Sequence, residues 1–137
     1  MKEKDYLDNA YQILSKREDI LYVSTEVPIL GRYADLAFIK ENEIYTFEFK
    51  LNNCKKALIQ SKDHMLGADF CYICMPKRNF NNSFLEEVSE AGIGLCIINQ
   101  DKEWPFEEIV KPKKSVRKFK FAWENTLKHC LRKCNVI

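Results

Sequence analysis

The stretch 33–51, YADLAFIKENEIYTFEFKL, decides the fold class of this chain. It contains two runs rich in strand-forming residues, 33–40 and 44–51, and only residues 41–43 separate them. A gap this short predicts a tight β-hairpin, although the favoured Asn-Gly dipeptide is absent. We therefore expect a sheet that is built outward from this hairpin.

The turn of the hairpin decides which side chains face each other. With a two-residue turn, Lys40 faces Glu43, and by the same register Asp35 faces Glu48; a three-residue turn shifts the register by one but leaves these two carboxylates close. Directly opposed side chains have Cβ atoms about 4.5–5.5 Å apart. Since like charges at this spacing destabilise a hairpin, we expect a cation between the two acids. Oxygen ligands with several waters suit Mg²⁺ or Mn²⁺.

The second strand of the hairpin carries charge where apolar residues are expected. Alternation places Glu48 and Lys50 on one face and Phe47, Phe49 and Leu51 on the other. A Glu-x-Lys triplet on a strand can be an ordinary solvent-exposed ion pair, worth about 0–1 kcal/mol. The opposing acid on the first strand is therefore the stronger indication of a site.

Hydrophobic periodicity predicts helices and strands on both sides of the hairpin. Before the hairpin we expect a helix at about 4–17 and a strand at 21–30, which Pro28 places at a sheet edge. After the hairpin we expect two helices, one from Asn52 or Asn53 to Leu66 and one from Asn82 or Ser83 to Gly92. Each of these helices is followed by a strand, at 70–75 and at 94–99. After Trp104 and Pro105 we expect an irregular stretch. A last helix should place Trp123, Leu127, Cys130, Leu131 and Cys134 on one face.

Length and composition limit the possible classes of protein. A chain of 137 residues with 46% hydrophobic and 31% charged residues is typical of one globular domain. We find neither an apolar run of about 18 residues nor a signal peptide, and we expect a soluble, cytoplasmic protein that is not embedded in a membrane. Only 4 Gly and 4 Pro argue against a Gly-rich nucleotide cradle and against disorder.

Charge is distributed unevenly along the chain. Residues 1–110 have a net charge of −6, whereas residues 111–137 have +8. We expect residues 1–110 to form the main domain, with the basic segment and the last helix packed on it. The basic segment could attract a polyanion, or it could be a solvated tail that improves solubility.

The six cysteines are predicted to be reduced, because several lie in apolar strand-like runs and no secretion signal precedes them. A zinc site would have to combine Cys71 and Cys74 with His129, Cys130 and Cys134. Positions three apart on a strand face opposite sides, so Cys71 and Cys74 are expected not to share a metal ion.

A family resemblance rests on Arg32-Tyr-Ala-Asp35, twelve intervening residues, Glu48-Phe-Lys50 and a following helix that carries Gln60. This pattern resembles the restriction-endonuclease-like PD-(D/E)XK superfamily and, in the position of the glutamine, its RecB-like members. The resemblance covers about residues 5–75. It implies an α/β (α+β) fold with an αβββαβ core, in which helices flank a mixed central sheet, plus the basic C-terminal helix.

The chain departs from the superfamily pattern at two positions. Ala34 stands where the motif has proline, and His64 stands where RecB-like members have tyrosine, four residues after the glutamine. The sequence does not single out a further acidic ligand. The candidates are Glu3, Asp5 and Asp8 in the first helix and Glu26 on the first strand.

The resemblance implies a metal-dependent nuclease that hydrolyses phosphodiester bonds, with DNA as the expected substrate. Asp35, Glu48 and the main-chain carbonyl of Phe49 would bind Mg²⁺ or Mn²⁺, and Lys50 would lie beside the scissile phosphate with support from Gln60. Lys50 would act as a fixed positive charge or, if desolvated, as a base.

Basic and polar side chains outside this set are expected to contact nucleic acid. Lys56, Gln60 and His64 recur at four-residue intervals and predict one polar helix stripe. The basic segment adds Lys113, Lys114, Arg117 and Lys118. Such a small chain could need a second copy or a larger complex to select its substrate. Two alternatives remain: a noncatalytic nucleic-acid-binding or assembly module, and an α/β protein with a surface ion pair.

Overall fold

The computed structural model describes residues 2–99, 102 and 104–134, with side chains to Arg132. In chain order the elements are α1 (Glu3–Ser15), β1 (Leu21–Ile29), β2 (Arg32–Lys40), β3 (Glu43–Phe49), α2 (Cys54–His64), β4 (Phe70–Pro76), α3 (Asn82–Ala91), β5 (Gly94–Ile98), β6 (Phe106–Val110) and α4 (Lys120–Cys134). None of the described helices combines the length and the apolar character needed to cross a lipid bilayer.

The six strands form one mixed sheet in the order β1-β2-β3-β4-β5-β6. The central pairs β3-β4 and β4-β5 are parallel, and the outer pairs β1-β2, β2-β3 and β5-β6 are antiparallel. This arrangement, with helices packed on the sheet, confirms the predicted α/β class. It also confirms that the strand containing Pro28 lies at an edge.

Strand β6 corrects the prediction of an irregular stretch after Trp104 and Pro105. Its five residues pair with β5, but only Phe106 is fully buried while Glu107, Glu108 and Ile109 are exposed. An edge strand with consecutive exposed residues lacks the alternation by which a strand is recognised in a sequence.

Each face of the sheet has its own apolar layer. Helices α2, α3 and α4 cover one face, where the core includes Ile44, Ala57, Ile73, Val88 and Cys130. Helix α1 covers the other face, where the core includes Leu14, Phe38, Phe47, Cys74 and Phe106. We call these the α2 face and the α1 face.

Cys71 and Cys74 lie on opposite faces of the sheet. Cys71 belongs to the core of the α2 face and Cys74 to that of the α1 face, which confirms that the two side chains point away from each other. The described cysteine side chains, at positions 54, 71, 74, 96 and 130, are free thiols. The side chain of Cys134, part of the considered zinc set, lies outside the described residues.

Asparagine side chains cap two helices. Asn53 accepts a hydrogen bond from the Lys56 N–H at 3.2 Å, so α2 starts at one of the two predicted positions. Helix α3 is capped by Asn81, one residue before the predicted alternatives, and it ends at Gly92, whose φ of +77° needs a residue without Cβ. Helix α2 ends at His64, two residues earlier than predicted.

The hairpin between β2 and β3 has the predicted two-residue turn. Glu41 and Asn42 have φ angles of +51° and +66°, and Lys40 pairs with Glu43. Two successive left-handed residues are typical of a type I′ turn, whose twist matches that of the flanking strands. The turn therefore fixes the register of β3 against β2.

The carboxylate of Asp69 connects the start of β3 to the C-terminal part of the chain. This buried group accepts hydrogen bonds from the Ile44 N–H and the Trp123 Nε1–H, each at 2.8 Å, and forms an ion pair with Lys118. Its main-chain carbonyl accepts from the Ser115 N–H at 2.7 Å. Burial raises the pKa of Asp69, but these donors outweigh it and hold the pKa below its usual value. The basic segment is thereby tied to the sheet at the start of β3.

The left-handed turn generates a stability prediction. Glu41 has a Cβ that disfavours its positive φ, whereas asparagine tolerates this region, so Glu41→Asn should stabilise the protein by about 0.5–1 kcal/mol. Urea unfolding followed by circular dichroism measures the change. Glu18→Asn is the matched control, because Glu18 is exposed and lies outside the left-handed region. An equal effect of both substitutions, or a loss of stability in Glu41→Asn, would contradict this account of the turn.

Candidate active site

The register of the hairpin brings Asp35 and Glu48 together. The last pair of the β2-β3 ladder is Leu36 with Phe47, and the next position along places Asp35 beside Glu48. The two carboxyl groups are hydrogen-bonded to each other. Glu48 alternates with Ile44 along β3, so the pair lies on the α2 face of the sheet.

The main-chain hydrogen bonds between β2 and β3 end at this point, because the Asp35 side chain accepts a hydrogen bond from a main-chain N–H of β3. Asp35 Oδ2 accepts a hydrogen bond from the Phe49 N–H at 2.8 Å. The N–H and C=O of one strand residue point to the same side, so the Phe49 carbonyl is directed toward the side of β3 on which Asp35 lies. Two carboxyl groups and one carbonyl oxygen therefore converge at the end of β3.

Burial raises the pKa of both acids. Glu48 is 2% exposed. Desolvation, the charge of Asp35 and the hydrogen bond between them raise the pKa of Glu48 to about 8, against a lowering effect of the Lys50 charge. Burial also raises the pKa of Asp35, although the Phe49 N–H and Glu48 oppose this shift. The pair therefore retains a proton to a higher pH than two separate carboxyl groups would.

Lys50 follows the last residue of β3. Its N–H donates to the Cys74 carbonyl at 3.0 Å, which continues the pairing of β3 with β4, and its side chain is half-buried. The charge of Lys50 lowers the pKa of both Asp35 and Glu48. Within the described residues its ammonium group has no carboxylate partner within 4.0 Å. The ammonium group is therefore available to an anion near the two acids.

The oxygen atoms at this position fit Mg²⁺ or Mn²⁺. Glu48 Oε1 is buried and accepts no hydrogen bond from an N–H or hydroxyl donor of the described residues, and carboxylate oxygens are ligands that these cations prefer. Across residues 2–99, 102 and 104–132 no three His, Cys, Asp or Glu side chains converge as a preformed metal site. Mg²⁺ needs only one or two carboxylates because it retains several waters, so Asp35, Glu48 and the Phe49 carbonyl suffice.

Among the candidate acids of the first helix, the structure places Glu3 nearest to this pair. Glu3 Oε2 accepts a hydrogen bond from the Leu51 N–H at 3.1 Å, directly after Lys50. Its charge also raises the pKa of Asp35. The contact spans 48 positions of sequence, and no local pattern in the chain distinguishes Glu3 from the other acids of α1.

The other acidic candidates lie around the pair without contacting it. Asp5 accepts a hydrogen bond from the Lys2 N–H at 2.8 Å and so belongs to the cap of α1. Asp8 and Glu26 line, together with Asp35, a surface pocket of about 350 Å³ between α1 and β1. The pocket gives solvent and ligands a route to Asp35.

On helix α2, Gln60 and Lys56 differ in their exposure to solvent. Gln60 is half-buried, and its Oε1 has no hydrogen-bond partner in the described part of the chain. Lys56 is exposed one turn earlier. Gln60 is therefore able to donate or accept at a site under α2, whereas Lys56 faces solvent.

His64 corrects the predicted polar stripe of α2. Its side chain is 1% exposed, and Nε2 lies 3.2 Å from the Tyr33 carbonyl oxygen. Burial lowers the pKa of His64 to about 4, so the ring is neutral at physiological pH. His64 shares the buried side of α2 with Ala57 and Ser61, and this position excludes contact with an external phosphate backbone.

The basic segment lies at the opposite end of β3 from the acids. Lys114 forms an ion pair with Glu43, the first residue of β3, at 3.0 Å, and Lys118 pairs with Asp69 beside Ile44. Glu48 is five residues further along the strand, about 16 Å at the usual rise. The structure therefore does not bring Lys114 and Lys118 to the acids, and both are already neutralised by carboxylates.

Two other basic residues of this segment, Lys113 and Arg117, are exposed. The Lys113 N–H donates to the Gly92 carbonyl at 3.0 Å, which holds this part of the chain near the start of β5. Both side chains lie apart from the acidic pair, and Arg117 borders a surface pocket that Glu87 and Glu90 also line.

Comparisons with known proteins support the fold. No protein-family model matches the sequence, and no curated protein matches it significantly. Among solved structures, the chain is similar to an XisH family protein from Nostoc punctiforme PCC 73102, with a TM-score of 0.53 and 16% identity over 77% of this chain and 99% of that chain. The similarity extends over the mixed sheet and its flanking helices, and it is a similarity of fold.

Proposed function

We propose that this protein is a metal-dependent nuclease that hydrolyses phosphodiester bonds in nucleic acid, with DNA as the expected substrate. The observation that carries the proposal is the hydrogen-bonded pair of carboxyl groups, buried Glu48 and half-buried Asp35, under the influence of the Lys50 charge. A buried pair of acids is costly unless a proton or a cation neutralises it.

In this proposal Asp35, Glu48 and the Phe49 carbonyl hold Mg²⁺ or Mn²⁺. When bound, such a cation lowers the pKa of water and offsets the charge that develops at phosphorus. The Phe49 N–H keeps Asp35 in place through its 2.8 Å hydrogen bond, so the acid does not have to be ordered when substrate arrives.

Lys50 and Gln60 act on the substrate in this proposal. The ammonium group of Lys50 stabilises negative charge on the scissile phosphate, and the amide of Gln60 orients a water or a phosphate oxygen. Exposed Lys56 contacts the neighbouring backbone. The exposed side chains of Lys113 and Arg117 add affinity that decreases as salt rises. We further propose that a second copy or another protein contributes to substrate selection.

Cleavage of labelled single-stranded and duplex DNA and RNA, with Mg²⁺ or Mn²⁺, tests the proposal. Asp35→Asn and Lys50→Ala should each reduce the rate at least about 100-fold, since each removes a charge that acts in the transition state. Glu107→Gln on the edge strand β6 and Lys16→Ala at the C-terminal end of α1, both at exposed positions, are the matched controls and should cleave at the wild-type rate. Cleavage that persists in both site variants would contradict the proposal.

A noncatalytic nucleic-acid-binding module is the second candidate. It is favoured by the position of Lys113 and Arg117, two exposed basic residues away from the acids. Binding of nucleic acid without cleavage under either metal, lost in a Lys113→Ala/Arg117→Ala double variant, would establish this alternative.

The raised pKa of Glu48 generates a prediction for stability. Glu48 ionises near pH 4.5 when the chain is unfolded but only near pH 8 in the folded protein. Between these values the unfolded state has released a proton that the folded state retains, so this group makes the free energy of unfolding fall as pH rises. The slope is at most about 1.4 kcal/mol per pH unit, and it ends above about pH 8.

Urea unfolding at pH 5.5 and pH 8, with and without Mg²⁺, measures this effect. Relative to wild type, Glu48→Gln should gain stability at pH 8, and Mg²⁺ should stabilise wild type more at pH 8 than at pH 5.5 while leaving Glu48→Gln unchanged. Glu107→Gln is the control with an exposed acid and should follow wild type. A Mg²⁺ response of equal size in Glu48→Gln would place the cation elsewhere.

A further inference from the structure

We propose that His64 is a positioning residue that holds the start of β2 and thereby fixes Asp35 beside Phe49 and Glu48. The inference rests on the proposed function in one respect, that Asp35 is part of the site. His64 does not touch substrate in this account, because it acts through the main chain of Tyr33.

The geometry of His64 defines a single hydrogen bond. Its Nε2 lies 3.2 Å from the Tyr33 carbonyl oxygen, which can only accept, so Nε2 carries the hydrogen and donates it. Nδ1 is then an acceptor, and it is buried without a partner in the described part of the chain. A leucine at this position would remove the unpartnered Nδ1 but would also leave the Tyr33 carbonyl without this donor, so the bond to Tyr33 is what a histidine provides here.

Strand β1 does not provide this hydrogen bond. The two-residue turn at Leu30 and Gly31 closes with the pair of Ile29 and Arg32, so in the next pair, Pro28 with Tyr33, the main-chain groups point away from the partner strand. On the other side, the β2-β3 ladder already stops at Leu36 and Phe47. His64 therefore supplies a donor to a stretch of β2 that is paired with β1 but no longer with β3.

The position of Asp35 depends on this stretch of β2. Asp35 is two residues after Tyr33, about 7 Å along the strand. Its contacts with Phe49 and Glu48 are made by its side chain, after the ladder has ended. If the Tyr33 carbonyl is released, the start of β2 can move away from α2 and carry Asp35 with it.

The test compares three substitutions of His64 with a control on the same face of α2. His64→Leu removes the donor, His64→Gln keeps an N–H of similar reach, and His64→Asn keeps an amide that is too short. Ser61→Ala is the control, since Ser61 is fully buried on α2 and its hydroxyl has no partner among the described residues.

Two properties are measured for each variant. These are the hydrogen-exchange rate of the Phe49 amide, by NMR without metal, and the affinity for Mn²⁺, by calorimetry. In His64→Leu the Phe49 amide should exchange at least about tenfold faster, because its acceptor Asp35 is displaced. Mn²⁺ affinity should fall about tenfold or more, as for other residues that orient ligands. His64→Gln should restore both values, and Ser61→Ala should match wild type.

Unchanged Phe49 exchange in a folded His64→Leu variant would overturn the inference. If His64→Leu does not fold, equal exchange in His64→Gln and His64→Asn would overturn it. Failure of the proposed function is distinguishable, because wild type would then bind no Mn²⁺ while the exchange data, recorded without metal, still decide the role of His64.

Discussion

The pairing of β2 with β3 positions every group of the candidate site. The turn at Glu41 and Asn42 sets a register in which Asp35 meets Glu48, and a slip by one residue would place an apolar side chain there instead. The chain forms this turn with two non-glycine residues in the left-handed region, which costs about 1–2 kcal/mol for a residue such as glutamate. Packing on both faces of the sheet compensates for that cost.

The buried acids explain why this end of the sheet differs from an ordinary hairpin. Regular pairing would continue past Leu36, but the Asp35 carboxyl accepts the Phe49 N–H and ends the ladder. The strands thereby separate where the carboxyl groups, the Phe49 carbonyl and Lys50 converge. The same opening leaves the start of β2 held by β1 on one side and by α2, through the bond between His64 and Tyr33.

The local features of the fold were predictable, and the long-range contacts were not. Alternation and spacing identified the hairpin, its register and the facing acids, because these depend on a few adjacent residues. The burial of His64, the selection of Glu3 and the ion pairs of Lys114 and Lys118 depend on contacts between residues far apart in sequence. Strand β6 escaped prediction because an exposed edge strand carries little hydrophobic pattern.

The central claim is that Asp35 and Glu48 share a divalent cation. An anomalous difference map from crystals soaked in Mn²⁺, recorded at the manganese absorption edge, tests it most directly. The account predicts a peak between the two carboxyl groups, next to the Phe49 carbonyl, and no peak there in Glu48→Gln. A map in which wild type has no peak at this position, with the carboxyl groups still hydrogen-bonded to each other, would contradict it.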